Sequence, residues 1–137
     1  MFEIAAIDHI VLRTDKLTQM LDFYCGVLGC EIERETLPEI GLTQLRAGDA
    51  LIDLVNVDSR LGRMGGGSPT KTENNVDHYC LRLKSISEEQ IRSHLQSHGI
   101  EVGEFGERNG AQGLGQSVYI QDPEGNTVEL RSQITLV

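Results

Sequence analysis

The sequence lacks tryptophan, and it contains no apolar run close to the roughly 20 residues that a membrane-spanning helix requires. Its first residues include Glu3, an acid, at a point where a secretory signal would carry basic residues. We therefore expect a protein that stays in the cytoplasm and has no membrane partner.

Positive charge is also scarce. The 137 residues include 12 Lys and Arg against 21 Asp and Glu, which gives a net charge of −9. Such a charge repels phosphate backbones at long range, so a nucleic-acid partner is not expected. The three cysteines form no Cys-x-x-Cys pair, and this excludes a disulfide framework and a zinc ribbon. We expect reduced thiols.

Three segments of the first half return, in the same order, in the second half. Residues 8–13 (DHIVLR) return as residues 77–82 (DHYCLR), which is a displacement of 69 positions. Residues 29–32 return as 99–102, and residues 51–54 return as 127–130. An ordered set of matches with a nearly constant displacement predicts two copies of one structural module.

Each copy is predicted to contain one strand, one helix and three further strands. In the first copy we expect strands at 6–13, 30–36, 41–47 and 50–57, with a helix from Lys16 to Leu28 that Asp15 caps and Gly29 ends. In the second we expect strands at 76–83, 100–104, 115–121 and 125–131, with a helix from Glu88 to His98 that begins at the capping box Ser87 to Gln90.

The length suits one domain spanning residues 1–137, with module one at about 5–57 and module two at about 76–133. A linker at 58–75 separates the modules and shows no hydrophobic period. Its glycines 65–67 are followed by neither Gly-Lys-Ser/Thr nor a helix, so a phosphate loop is not expected there. We interpret this run as a mobile loop over a site.

Strand alternation places one histidine and one carboxylate of each module on the face away from its helix. These residues are His9 and Asp53 in the first module, and His78 and Glu129 in the second. If the modules pack about a pseudo-twofold axis, the four side chains converge. Two imidazoles and two carboxylates form a donor set that suits a divalent transition metal.

Four motifs make the sequence similar to the vicinal oxygen chelate superfamily, the glyoxalase and bleomycin-resistance proteins. They are DHIVL at 8–12, DFYCGVLG at 22–29, DH at 77–78 and DPEGNTVEL at 122–130. The resemblance implies an α+β fold in which two βαβββ modules form a cupped mixed β-sheet with helices on the convex side. It also implies one metal, held by His9, Asp53, His78 and Glu129.

Glyoxalase I is the member that the layout resembles most. The resemblance implies a metal-dependent lyase of the lactoylglutathione lyase type, working with Ni, Co, Zn, Mn or Fe on a small thiol adduct with adjacent oxygens. Glu129 stands at the position of the catalytic base, and Arg13 at a position that holds the carboxylate of a glutathione adduct. The same resemblance implies a homodimer.

Two alternatives remain open at this stage. Asp53 stands where glyoxalases carry glutamate, and its arm is shorter by one carbon–carbon bond. Without Asp53 the set would be His9, His78 and Glu129, a two-histidine, one-carboxylate site like that of extradiol dioxygenases and fosfomycin thiol transferases. The other alternative is a non-enzymatic, bleomycin-resistance-type drug-binding protein, although such proteins commonly lack the metal residues.

Overall fold

The chain forms two compact units in a computed structural model that describes residues 1–132. The first unit comprises residues 1–70, and the second begins at Lys71. The elements of the first unit are β1 (His9–Thr14), α1 (Leu17–Leu21), β2 (Glu31–Glu35), β3 (Leu42–Ala47), β4 (Ala50–Asn56) and α2 (Arg60–Arg63). Those of the second are β5 (His78–Leu83), α3 (Glu88–Ser97), β6 (Gly106–Gly110), β7 (Gly113–Gln121) and β8 (Thr127–Ser132).

Both units contain a four-stranded mixed sheet with the same topology. The strand order is β1-β4-β3-β2 in the first unit and β5-β8-β7-β6 in the second. The first and last strands of each module pair in parallel, and the remaining neighbours pair antiparallel. The predicted fold class, α+β with two βαβββ modules, is therefore confirmed. Residue 133, the last of predicted module two, lies outside the described residues.

One face of each sheet carries the core. In the first unit, Met20 and Tyr24 from the helical segment are fully buried together with Leu45 and Leu54 from the sheet. In the second, Ile91 and Leu95 of α3 are buried with the alternate strand residues Val118, Ile120, Val128 and Leu130. Apolar residues at period two therefore pack against a helix, and the intervening residues of each strand occupy the opposite face.

The first helical segment differs from the prediction at its start. Lys16 occupies the N-cap position and has no side-chain capping hydrogen bond, so the assignment of Asp15 as the cap was wrong. The hydroxyl of Thr14 instead accepts a hydrogen bond of 2.8 Å from the backbone N–H of Lys16. After α1 the chain continues as a π-helix over Asp22–Val27, and Gly29 follows with a φ of +80°. Gly29 thus adopts the left-handed conformation expected after a helix.

In the second module the capping box is present, and one strand is displaced. Ser87 accepts a hydrogen bond from the backbone N–H of Gln90, whose side chain accepts one from the N–H of Ser87. The strand predicted at 100–104 was wrong, because the chain forms β6 at Gly106–Gly110. This edge strand is polar, and its hairpin with β7 turns at Gly113, which has a φ of +96°. Hydrophobic alternation therefore could not reveal it.

No helix in residues 1–132 is long and apolar enough to cross a membrane.

Candidate functional site

His9 and Asp53 lie on the same face of the first sheet. Strand β1 pairs with β4 so that His9 is opposite Leu51 and Val11 is opposite Asp53, which places the two side chains two residue pairs apart along the strands. Asp53 is 2% exposed, and its Oδ2 accepts a hydrogen bond of 3.1 Å from the side chain of Gln44. Within the described residues its Oδ1 is buried and has no hydrogen-bond partner. A buried oxygen without a donor is costly, so a further ligand to this atom is expected.

His78 and Glu129 repeat this arrangement in the second sheet. His78 is opposite Thr127, and Cys80 is opposite Glu129. Glu129 is 5% exposed, and its Oε1 accepts a hydrogen bond of 3.2 Å from the hydroxyl of Ser117. The sequence therefore correctly places one histidine and one carboxylate on the same face of each module.

The carboxyl of Glu129 is held in its ionised form. Burial by itself raises its pKa, but hydrogen bonds from Cys80, Ser117 and Tyr119 and the charge of His78 act in the opposite direction and leave the pKa below its ordinary value. The same environment raises the pKa of the Cys80 thiol to about 12, through burial first and the hydrogen bond to Glu129 second. Glu129 is therefore a carboxylate and Cys80 a neutral thiol at neutral pH.

Both histidines use the same ring nitrogen to contact the preceding aspartate. Nδ1 of His9 lies 2.6 Å from Oδ1 of Asp8, and Nδ1 of His78 lies 2.7 Å from Oδ2 of Asp77. The hydrogen bond that the ring donates to Asp8 is the main reason that the pKa of His9 is raised. No other hydrogen bond is made by either ring within residues 1–132, so Nε2 is left for a ligand. A carboxylate on one ring nitrogen is the usual support of a metal-binding histidine.

Arg13 lies on the same face as His9 but contacts the protein's own backbone. Its guanidinium donates to the carbonyls of Gly62 at 2.9 Å and Gly67 at 3.0 Å, and also to Gly66. A Cβ at Gly65 would overlap the Arg13 side chain. The glycine run interpreted as a mobile loop is therefore fastened to β1, and the arginine that the family resemblance assigned to substrate is engaged with that loop.

Some residues around the site were not identified from the sequence. Gln44, Ser117 and Tyr119 contact or neighbour the two carboxylates because strands β3 and β7 pair with β4 and β8. Tyr119 also packs its ring edge-on against His78 at 5.2 Å between centroids. A cavity of about 810 Å³ opens beside His78 and Tyr119. These neighbours are identified by the register of the paired strands, which could not be derived from the sequence pattern.

The donor atoms are of the chemical types that bind a divalent metal. Each unit presents one imidazole with a free Nε2 and one buried carboxylate, and Asp53 Oδ1 lacks a partner in the part of the chain that the structure describes. Neither unit by itself gathers three or more His, Cys, Asp or Glu side chains around one point within residues 1–132. Each unit therefore presents one histidine and one carboxylate, and no larger group of such side chains is gathered within residues 1–132.

Fold and donors together define a protein made of two copies of one βαβββ module, each with a histidine and a carboxylate on its open face. The family model for the Glyoxalase/Bleomycin resistance protein/Dioxygenase superfamily matches residues 6–130. The chain belongs to this superfamily.

Three known proteins show the range of chemistry on this fold. Catechol-2,3-dioxygenase of Bacillus subtilis is 26% identical over 125 residues, which are 90% of this chain and 40% of that protein. Lactoylglutathione lyase from Agrobacterium tumefaciens has 21% identity, a TM-score of 0.64 and 94% coverage of both chains. The fosfomycin resistance protein FosX from Listeria monocytogenes has 19% identity, a TM-score of 0.69 and coverage of 94% of this chain and 91% of its own. The chain thus spans about two fifths of the dioxygenase it matches.

Proposed function

We propose that the protein is a divalent-metal-dependent enzyme of the glyoxalase type, which isomerises or lyses a small thiol adduct with adjacent oxygens. The observation that supports this most directly is that, within residues 1–132, the buried Asp53 Oδ1 has no partner and lies on the same face as a histidine whose Nε2 makes no hydrogen bond. The same pairing of imidazole and carboxylate in the second unit supports it further. The similarity to lactoylglutathione lyase favours this reaction type.

His9, His78 and Glu129 are the residues that would hold the metal directly, and Asp53 would act on it through a water molecule. A bound divalent ion would act as a Lewis acid that stabilises negative charge developing on the substrate oxygens. Asp8 and Asp77 keep the proton on Nδ1 of each histidine, so that Nε2 carries the lone pair. Gln44 holds one oxygen of Asp53 and directs the other toward the ligand.

Glu129 also moves the proton in this proposal. Its lowered pKa keeps it ionised at neutral pH, as a base must be. Hydrogen bonds from Ser117, Cys80 and Tyr119 fix the carboxylate in place, so it takes a proton from the substrate C–H and returns it to the adjacent carbon. Its burial at 5% exposure limits exchange of that proton with water.

The proposed metal site draws one histidine and one carboxylate from each of the two βαβββ units. We propose a homodimer that acts in the cytoplasm on a small molecule such as a glutathione adduct. The net charge of −9 disfavours nucleic acid as a substrate. Sedimentation of the purified protein with and without divalent metal gives the stoichiometry.

Metal analysis followed by a substrate screen tests the reaction type. The screen compares a hemithioacetal of methylglyoxal and glutathione, a catechol with oxygen, and fosfomycin with a thiol. Bound nickel, cobalt or zinc with formation of lactoylglutathione supports the proposal, and Glu129→Gln is expected to abolish turnover while Asp58→Ala, at an exposed residue outside the donor set, leaves it unchanged. Absence of metal together with tight binding of an aromatic drug would contradict the proposal.

Extradiol ring cleavage is the second candidate, because the relative at 26% identity is a catechol dioxygenase. In that case His9, His78 and Glu129 would form a two-histidine, one-carboxylate site with open positions, and Asp53 would act indirectly. Bound iron with cleavage of catechol in the same screen would favour this candidate. Product formation from fosfomycin and a thiol would instead favour a transferase.

A further inference from the structure

A second cavity, of about 370 Å³, lies directly beside Glu129 in the second unit. Its walls include His78, Cys80, Arg82, Glu129 and Arg131, and the turn at 109–112 closes one side. Within residues 1–132, two arginines and one carboxylate therefore line the same cavity. A small anion would meet more positive than negative charge there.

Arg82 is the available cation of this cavity. It occupies the same place in the second module as Arg13 in the first, four residues after the histidine. The guanidinium of Arg13 donates hydrogen bonds to three backbone carbonyls, one in α2 and two in the glycine loop that follows it. Arg82 is exposed and makes no hydrogen bond or ion pair within the described part of the chain. The repeat has therefore left one of two equivalent arginines free.

The neighbouring arginines retain their charge. Arg131 is 8% exposed and donates from Nη2 to the carbonyls of Arg108 and Gly113, while its Nη1 is buried without a partner in residues 1–132. Arg108 donates to the carbonyl and the hydroxyl of Ser117 and stacks on the Tyr119 ring. Carbonyls accept these hydrogen bonds without cancelling the charge, so the face around Arg82 stays positive in a chain of net charge −9.

We infer that Arg82 binds an anionic group of the substrate, a carboxylate or a phosphonate, while Glu129 faces the reacting carbon. In the sheet Arg82 is opposite Arg131, two residues beyond the pair Cys80 and Glu129. Two residues along a strand span roughly 6.6 Å, so the anion and the reacting carbon are separated by a short spacer of a few bonds. A guanidinium suits both anions because its paired N–H groups match their oxygens. The inference rests on the proposed function for the role of Glu129.

Anion binding to the metal-free protein tests this inference apart from the metal proposal. The protein is kept in a chelator and titrated with acetate, with methylphosphonate, and with neutral acetamide as the matched uncharged probe. The readout is the Nε–Hε resonance of Arg82 in the wild-type protein, which requires no variant. We expect acetate or methylphosphonate to shift this resonance and acetamide to leave it in place.

Variants supply the second measurement. Arg82→Gln is expected to weaken binding of the anion about 10-fold or more, since a charge-assisted pair is lost, and Arg82→Lys is expected to recover part of it. Arg34→Gln, at an exposed arginine on β2, is the matched control and should bind as the wild type does.

Anions that bind no better than acetamide, or equal binding by Arg82→Gln and the wild type, would overturn the inference even if the protein binds metal. A stronger response to acetate than to methylphosphonate assigns the site to carboxylates, and the reverse assigns it to phosphonates. Because the titration contains no metal and no turnover, failure of the proposed reaction leaves its result unaffected.

Discussion

Gln44 donates a hydrogen bond of 3.1 Å to Oδ2 of Asp53 across the β3/β4 pair and leaves Oδ1 of the same carboxylate without a donor in the described residues. The two residues are directly opposite each other in the antiparallel register. Gln44 therefore fixes the orientation of Asp53 while its second oxygen is kept for another ligand.

We expect Asp53→Ala to weaken metal binding by ~10–100-fold, as is usual for a residue that acts on the metal through a water molecule. The short arm of aspartate leaves space for that water, so Asp53→Glu should tighten the metal by forming a direct bond. Competition with a chelating dye measures both affinities. His78→Ala and Glu129→Ala are the references, because removing a direct ligand should release most of the metal. If Asp53→Ala empties the site as fully as His78→Ala, Asp53 is a direct ligand.

Asp8 and Asp77 should set the tautomer of the histidines that follow them. Removal of either carboxylate, by Asp8→Ala or Asp77→Ala, is expected to shift its histidine toward the Nε2–H form and to lower metal affinity by roughly 10-fold or more. Nitrogen chemical shifts of the imidazoles in the metal-free protein report the tautomer directly. Asp58→Ala, which removes an exposed carboxylate near α2, is the control. Unchanged imidazole shifts in the Asp8 and Asp77 variants would contradict this prediction.

The pKa of Glu129 should rise when its hydroxyl donor is removed by Ser117→Ala, because a hydrogen bond to the ionised form lowers the pKa. A carboxyl whose pKa is lower in the folded than in the unfolded protein stabilises the fold above the unfolded value of 4.5, and that stability is lost as the pH falls through the folded value. As the pH is lowered, the folded Ser117→Ala variant should therefore begin to lose stability at a higher pH than the wild type does. Carboxyl carbon titration of the metal-free protein measures the shift, and an unchanged midpoint would show that Ser117 has no part in it.

Gly62→Ala should destabilise the protein even though alanine is the better helix former. A Cβ at this position of α2 would overlap the backbone carbonyl of Asn56, which has little freedom to move. Overpacking of this kind costs about 1–3 kcal/mol, which exceeds the ~1 kcal/mol gained from helix propensity. Gly26→Ala is the matched control, because its Cβ would meet nothing within 4 Å. Urea unfolding compares the two, and equal stability of both variants would refute the close approach.

The module architecture was predictable because it rests on local patterns. Alternation and turn residues located β3, β4 and β8 to within two residues of their ends, and the capping box located the start of α3. The repeat also indicated which histidine and carboxylate share a face. These features depend on residues that are close together in the sequence, so they can be recognised without knowledge of the tertiary structure.

Features that depend on distant backbone atoms could not be predicted. Arg13 and Arg82 have equivalent sequence positions, yet within residues 1–132 Arg13 donates hydrogen bonds to glycine carbonyls and Arg82 does not. The strand β6 lacks an apolar pattern because it is a polar edge strand, so its hydrogen bonds to β7 alone define it. The burial of Asp53 likewise follows from its pairing with Gln44, nine residues earlier in the chain.

Glycine in the 65–67 segment serves a purpose other than flexibility. The space that a side chain would fill at Gly65 is occupied by the Arg13 side chain, whose donors hold the carbonyls on either side. The loop therefore surrounds one guanidinium, and the space available at residue 65 depends on the side chain at residue 13. Arg13→Ala would remove the atoms that a Cβ at residue 65 overlaps, so a side chain at residue 65 should be accommodated more easily in that variant than in the wild type.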